Sequence, residues 1–187
     1  CTFPFVNDPV NIAKNKRVMS INTAMSVDLF GQVAADSMGW TQQSAVGGQL
    51  DFVKGAQMSE GGKSIIALAS TMEKNGKLES KICLNFPVGT AVTTPRSEVQ
   101  YVATEYGCIN LKHLNMADRV RAMISLAHPA FRDQLTEEAK AHGLILCRSK
   151  VCRETRSLHR FCSAAKKPPW KAHGQPACPC PMRKSTF

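Results

Sequence analysis

The sequence lacks the segments that would place a chain in a membrane or in the secretory pathway. No apolar run approaches the roughly 18 residues that a membrane-spanning helix needs. The N-terminus has no basic patch followed by an apolar segment and a cleavage site, which is the pattern of a secretory signal. The chain begins at Cys1 rather than Met, and we interpret it as a fragment of a longer protein. We therefore expect an intracellular protein, mitochondrial or cytoplasmic, whose targeting signal lies outside this fragment.

Cysteine is sparse over the first 146 residues, where Cys1, Cys83 and Cys108 show no metal-ligand spacing. Such scattered cysteines indicate reduced thiols rather than a disulfide framework. The other cysteines lie after residue 146, with two histidines among them, and these residue types could bind zinc. Their spacing fits no zinc pattern, and Cys178-Pro179-Cys180 is shorter than the usual ligand pair. We expect no metal site, with zinc in this segment as the alternative.

Acidic residues are almost absent from the end of the chain. Residues 1–146 hold 14 Lys and Arg against 13 Asp and Glu, whereas residues 147–187 hold 10 against one, Glu154. The near-neutral body argues against nucleic acid as its partner, and charge alone leaves that possibility open for the basic end. The end has no sustained apolar period, so we predict an irregular tail. The predicted organisation is one domain over residues 1–146 and a basic tail over 147–187, disordered, non-native or splice-derived.

The body contains short apolar runs that predict strands. The predicted strands cover residues 18–33 with a turn near 24–26, and residues 64–70, 82–86, 91–94 and 99–103. Because these runs show little alternation, they are typical of strands buried on both faces. With helices between them, they predict an α/β fold with an open, mostly parallel sheet, residues 64–70 central and helices on both faces.

Helical spacing and end signals predict the remaining elements. Helices are expected over residues 10–16, directly after Gly48, over 117–127 and over 130–142, the last ended by Gly143. Residues 1–9 are predicted to be extended because Pro4 and Pro9 oppose regular helix. Residues 73–81 are predicted to be a charged loop.

The stretch Ser44-Ala45-Val46-Gly47-Gly48-Gln49-Leu50-Asp51-Phe52 is the part of the body most suggestive of chemistry. Two successive glycines allow a ligand to approach the backbone closely. The start of the helix that follows would present free N–H groups and a positive dipole end, which suit an anion or a developing oxyanion. The alternative is a tight turn without a ligand.

Further motifs accompany this stretch in the same body. They are Val6-Asn7-Asp8-Pro9, Ser20-Ile21-Asn22-Thr23-Ala24, Val27-Asp28-Leu29-Phe30-Gly31-Gln32-Val33, Thr104-Glu105-Tyr106-Gly107 and Ala127-His128-Pro129-Ala130-Phe131-Arg132. In order and approximate spacing, the set resembles the acetyl-CoA hydrolase/transferase family, which includes 4-hydroxybutyrate CoA-transferase and the butyryl- and succinyl-CoA:acetate CoA-transferases. The resemblance covers the C-terminal domain of that family and implies an enzyme of acetate and acyl-CoA metabolism.

The resemblance implies transfer of CoA between carboxylic acids through a glutamyl-CoA thioester, with CoA as a substrate and no cofactor. Gly48 is implied as a catalytic backbone donor, with Gly47 beside it. Asn7 is implied to orient the acyl group or the catalytic carboxylate, and an Asx turn before Pro9 is its alternative. Ser44, Gln49 and Asn22 are implied contacts to CoA or substrate.

The nucleophilic glutamate of the family lies in its N-terminal half, so we expect it outside this chain. Glu105 is the most tempting glutamate present, and we interpret it as holding a turn. His128 is interpreted as structural, at a junction between two helices. The expected partners are an acyl-CoA, a short-chain carboxylate and the missing N-terminal domain, with a homo-oligomer compatible with the sequence and neither nucleic acid nor membrane expected. An acetyl-CoA hydrolase, or an inactive CoA-binding or structural module, remains the alternative.

Overall fold

The computed structural model describes residues 2–145, in which short strands alternate with helices. The helices are α1 Phe3–Val6, α2 Pro9–Ala13, α3 Gln49–Met58, α4 Met116–Leu126 and α5 Pro129–Ala141. The strands are β1 Met19–Thr23, β2 Ser26–Asp28, β3 Val33–Ala34, β4 Ser37–Met38, β5 Thr41–Gln42, β6 Lys63–Ala67, β7 Thr71–Lys74, β8 Lys77–Ser80, β9 Ile82–Cys83, β10 Tyr101–Thr104 and β11 Gly107–Asn110. The predicted tail over 147–187 lies outside the described residues.

The main sheet has four strands in the order β1-β6-β10-β11. The β1–β6 and β6–β10 pairs are parallel, and β11 returns antiparallel to β10. Strand β6 lies inside the sheet, where the apolar run over 64–70 was predicted to lie. The α/β fold class, with a mostly parallel sheet and flanking helices, is confirmed.

The hydrophobic core lies against one face of this sheet. Ile66 of β6 and Val102 of β10 point into it, together with Val53 of α3 and Met123 of α4, and all four side chains are buried. A second sheet, β3-β2-β9, adds fully buried residues to the same core. Burial of this apolar surface stabilises the arrangement of the helices on the sheet.

The opposite face of the main sheet is open in the part of the chain that the structure describes. Met19 and Ile21 on β1 are 65% and 66% exposed, although Ser20 between them is buried. The prediction that both faces are covered is therefore wrong for residues 2–145. The apolar runs suggested burial on both faces, but β1 and β6 alternate in exposure along their lengths.

Two local predictions are also wrong. Pro4 does not block a helix, because it stands in the first turn of α1, where a missing N–H costs no hydrogen bond. The predicted loop over 73–81 is instead the hairpin β7–β8. Asn75 and Gly76 both have positive φ, at 52° and 71°, which is the two-residue turn that an Asn-Gly pair favours.

Strand lengths were less well predicted than strand positions. The strand predicted over 82–86 is limited to β9, and that over 91–94 is reduced to a single bridge between Val33 and Thr94. The helices over 117–127 and 130–142 are confirmed within one residue at each end, with Gly143 at a positive φ of 69° after α5. No helix among the described residues combines the length and hydropathy needed to cross a membrane.

Candidate functional site

The two glycines before α3 serve different purposes. Gly47 has φ of +65°, with open space where a Cβ would stand, so glycine is favoured there by its backbone conformation. Gly48 has an ordinary φ of −102° and is the N-cap residue of α3. A Cβ on Gly48 would lie inside 3.0 Å of the Asn7 Nδ2 atom. Gly48 therefore permits a close approach between the Asn7 amide and the start of the helix.

Asn7 reaches this position because two short helices hold it there. It ends α1, and its backbone N–H donates to the Phe3 carbonyl at 3.0 Å. Asp8 then begins α2 by accepting a hydrogen bond from the Val10 N–H at 2.9 Å. The side-chain turn before Pro9 is thus made by Asp8, and the Asn7 amide is directed toward Gly48.

Close packing of α2 on α3 keeps the Asn7 segment against the diglycine. Gly55 of α3 faces Ile12 of α2, and a Cβ on Gly55 would stand 2.6 Å from the Ile12 Cβ. Because such a distance is too short for real carbon atoms, the two helices can approach this closely only with glycine at position 55. Gly55 was not singled out from the sequence, because an isolated glycine in a helical pattern does not show what it packs against.

The Asn7–Gly48 pair contains two N–H donors, the side-chain amide of Asn7 and the backbone N–H of Gly48. Within residues 2–145, neither the Gly48 N–H nor the Asn7 Nδ2 has a hydrogen-bond acceptor, and both residues are partly exposed. The pair also lies at the N-terminal end of α3, where the helix dipole is positive. Such an arrangement can bind an anion or stabilise negative charge that develops on a carbonyl oxygen.

Asp36 anchors the loop that leads into the diglycine. Its backbone carbonyl accepts from Gln43 N at 2.8 Å and from Ser44 N at 3.1 Å. Its buried carboxylate accepts from the Thr93 hydroxyl and from Gln42 Nε2. The loop is therefore tied to the segment around Thr93 by hydrogen bonds that its sequence did not reveal.

The other predicted site residues are Gln49, Ser44 and Asn22, and they belong to different elements of the fold. Gln49, the first residue of α3, donates from Nε2 to Thr94 Oγ1 at 3.1 Å, which ties the helix start to the loop scaffold. Ser44 is exposed in the loop before the glycines. Asn22 lies on β1 and donates to Ser20 Oγ at 2.7 Å, with no hydrogen bond to the glycine loop.

Glu105 and His128 occupy structural positions. The Glu105 carboxylate accepts hydrogen bonds from the Ser70 N–H and hydroxyl. It therefore connects the turn between β10 and β11 to the segment between β6 and β7. His128 caps α5 by accepting from Ala130 N through Nδ1, and its ring makes an edge contact with Tyr106 at 5.7 Å between centroids. These contacts agree with the structural interpretation of both residues.

The hydrogen bond between Glu105 and Ser70 makes the stability of the domain depend on pH. The hydrogen bond from Ser70 lowers the pKa of Glu105 below its ordinary value of 4.5. Because the folded-state pKa is lowered, the stabilisation is present above the unfolded-state pKa and is lost as the pH falls through the folded-state pKa. We expect Glu105→Gln to lower Tm slightly at pH 7 and to differ less from the unmodified chain as the pH falls toward 3.

The matched control for this variant is Glu79→Gln, because Glu79 lies on the exposed hairpin strand β8 and its carboxylate makes no hydrogen bond among the described residues. Thermal unfolding of both variants across this pH range measures the effect. A Glu105→Gln difference that stays constant with pH would show that the carboxylate charge has no part in the contact.

The described residues show neither a metal cluster nor a glutamate bonded to the candidate pair. No group of three or more His, Cys, Asp and Glu side chains in this part of the chain could hold a metal ion. Glu60 pairs with Lys16, and no hydrogen bond joins Glu60, Glu73, Glu98 or Glu105 to Asn7 or Gly48. The zinc alternative falls on the cysteines after residue 146, outside the described residues.

Comparisons with known proteins agree on one family. Residues 1–139 match the model described as the acetyl-CoA hydrolase/transferase C-terminal domain. The 4-hydroxybutyrate coenzyme A transferase of Clostridium kluyveri is 51% identical over 136 residues, which is 73% of this chain and 31% of that protein. The butyryl-CoA:acetate CoA-transferase of Anaerostipes caccae is 44% identical over 137 residues, again 73% and 31%.

A solved structure shares the fold. The crystal structure of RipA from Yersinia pestis is similar with a TM-score of 0.69 at 48% sequence identity, over 75% of this chain and 31% of that one. The chain thus spans about a third of the length of the relatives it matches.

Proposed function

Because the chain belongs to the acetyl-CoA hydrolase/transferase C-terminal domain family, we propose that it supplies the oxyanion-binding part of a CoA-transferase. The observation that supports this is the approach of the Asn7 Nδ2 to Gly48 at the N-terminal end of α3. The proposed substrates are an acyl-CoA and a short-chain carboxylate, of the acetate or 4-hydroxybutyrate type named for the relatives. CoA is a substrate here, and the proposal requires no cofactor.

The reaction begins with a glutamate carboxylate supplied from outside this chain. Its oxygen attacks the thioester carbonyl carbon, the C–S bond breaks, and CoA leaves as a thiolate with an acyl–glutamyl anhydride remaining. The thiolate then attacks the glutamyl carbonyl and releases the carboxylic acid as its anion. The acceptor carboxylate attacks the resulting glutamyl-CoA, and the same two steps run in reverse.

Each addition step places negative charge on a carbonyl oxygen. In this proposal an Asn7 Nδ2–H and the Gly48 N–H donate to one such oxygen, and the α3 dipole favours the same charge. The hydrogen bonds of Asp36 and Gln49 hold the loop so that these donors need not be ordered during the reaction. Ser44 and Gly47 are proposed to line the approach to these donors, and Asn22 to contact a more distant part of the substrate.

The proposed partners are the substrates and the part of the enzyme that carries the glutamate, in mitochondria or the cytoplasm. We propose neither a nucleic acid nor a membrane as a partner. The alternative functions are hydrolysis of acetyl-CoA and an inactive CoA-binding or structural module.

A hybrid enzyme tests the proposal. It carries residues 1–139 of this chain in place of the matched segment of the Clostridium kluyveri transferase. We expect the hybrid enzyme to exchange labelled acetate into acetyl-CoA, and the 187-residue chain alone to give background rates. Release of free CoA without exchange would identify a hydrolase. A folded hybrid enzyme with neither activity would overturn the proposed function in favour of an inactive module.

A further inference from the structure

The open face of the main sheet is a second feature that the oxyanion site does not use. We define it by Met19, Ile21, Ile65, Ala67, Tyr101 and Ala103, which share one side of the strands β1, β6 and β10. Their pairing sets rows across the sheet, with Ile21 beside Ile65 and Ile65 beside Tyr101, and Ala67 beside Ala103. The neighbouring positions Ser20, Ile66 and Val102 are buried on the other side.

This face is apolar where solvent would favour polar side chains. Met19 and Ile21 are about two-thirds exposed, and the one charged side chain on the open side of these three strands is Lys63, beside Met19. Parallel strands are almost always covered on both faces, because their connections place helices there. The other residues of the face are half-buried, and a contiguous apolar patch of this kind marks an interaction surface.

A shallow groove lies at one end of the open face. It has a volume of about 370 Å³ and lies where the three parallel strands finish, between Thr23, Ala67 and Ala103. Its lining side chains are small apart from Leu68, so an apolar side chain of a covering segment can enter it. The face and the groove together fit a packed protein element better than a small ligand.

We propose that the open face is the docking surface for the remaining part of the enzyme, the portion of the relatives that this chain does not match. The relatives are about three times as long as the matched segment, so an enzyme of their length contains a large polypeptide that can cover this face. This inference rests on the partner assigned in the proposed function but not on the roles of Asn7 and Gly48.

The test compares the 187-residue chain alone with the hybrid enzyme. Oxidation of Met19 by dilute peroxide should be about tenfold slower in the hybrid enzyme, because oxidation follows exposure of the sulfur. Met72 on the hairpin strand β7 is 44% exposed and lies outside the open face, so its oxidation rate should be the same in both proteins. Peptide mass spectrometry reads both methionines in one sample.

A substitution provides the second measurement. Ile21→Lys should leave the Tm of the 187-residue chain nearly unchanged, because Ile21 is exposed there. In the hybrid enzyme the lysine charge would be buried, and Tm should fall by at least about 5 °C. Leu78→Lys is the matched control, because Leu78 is 49% exposed on the hairpin strand β8, and it should have the same small effect in both proteins.

The outcomes separate the occupants and the two proposals. Equal oxidation of Met19 in both proteins, or equal effects of Ile21→Lys, would overturn the docking surface. A dimeric 187-residue chain that Ile21→Lys makes monomeric would assign the face to a second copy instead, which also overturns it. A hybrid enzyme that protects Met19 but transfers no CoA would leave the docking surface standing and remove the oxyanion assignment.

Discussion

In the hybrid enzyme, Gly48→Val should lower kcat about a hundredfold while leaving the fold largely intact. The Cβ of the valine would overlap the Asn7 Nδ2, which must move away, so both proposed donors are disturbed by one substitution. Loss of one oxyanion donor typically costs about 3 kcal/mol in the transition state. The atom displaced is the end of a side chain at a partly exposed position, so the backbone around Gly48 need not shift.

Gly62→Val is the matched control, since Gly62 also lies in a turn but outside the site. A Cβ there would lie 2.8 Å from the Ser59 Cβ and would also press on the backbone carbonyls of Ala56 and Val18. Backbone cannot rotate away, so this variant should lose stability while its folded fraction keeps a normal kcat. Rates per folded molecule, with Tm measured beside them, distinguish the two effects.

Asn7→Ala completes the experiment. If Asn7 and Gly48 donate to the same oxygen, the double variant should be little slower than either single variant, because groups that act as a unit are not additive. If Gly48→Val loses activity only in proportion to lost folded protein, the diglycine is a structural turn and the oxyanion assignment fails.

The fold class could be predicted from the sequence because helices and strands follow from local hydrophobic periodicity. The apolar run around β6 and the stripe of α4 follow from residues a few positions apart, and both elements occur where they were expected. The hairpin β7–β8 was missed although its Asn75-Gly76 turn is a local signal, because its strands are charged and exposed.

The site was only partly predictable, because its residues come from distant parts of the chain. The diglycine was singled out from its position before a helix and Asn7 through a family resemblance, but no spacing rule shows that Gly48 lacks a side chain to make room for Asn7. The buried carboxylate of Asp36 has no local pattern either, since its partner Thr93 lies in another segment. Contacts of this kind are fixed by the packing of whole elements.

Helical periodicity does not reveal the role of Arg119. Its replacement should lower the free energy of unfolding by about 3 to 5 kcal/mol. It lies on α4 beside the apolar stripe, yet it is only 8% exposed. Its guanidinium donates to the carbonyls of Phe30 at 3.1 Å, Arg96 at 2.8 Å and Leu111 at 2.9 Å. Burial lowers the pKa of the Arg119 guanidinium, with repulsion from Arg96 acting in the same direction.

Arg119→Met keeps much of the side-chain length but leaves three carbonyl oxygens without their donor, and each unpaired buried group is costly. Arg119→Lys should recover only part of the loss, because one ammonium group cannot reproduce the planar fork that serves three acceptors. Arg121→Met, on the same helix, removes an exposed ion pair with Asp118 and should change the unfolding free energy by less than about 0.5 kcal/mol. Urea unfolding of the three variants measures these differences. Equal losses for Arg119→Met and Arg121→Met would mean that water satisfies the three carbonyls when the guanidinium is gone, and that α4 is held by its apolar stripe alone.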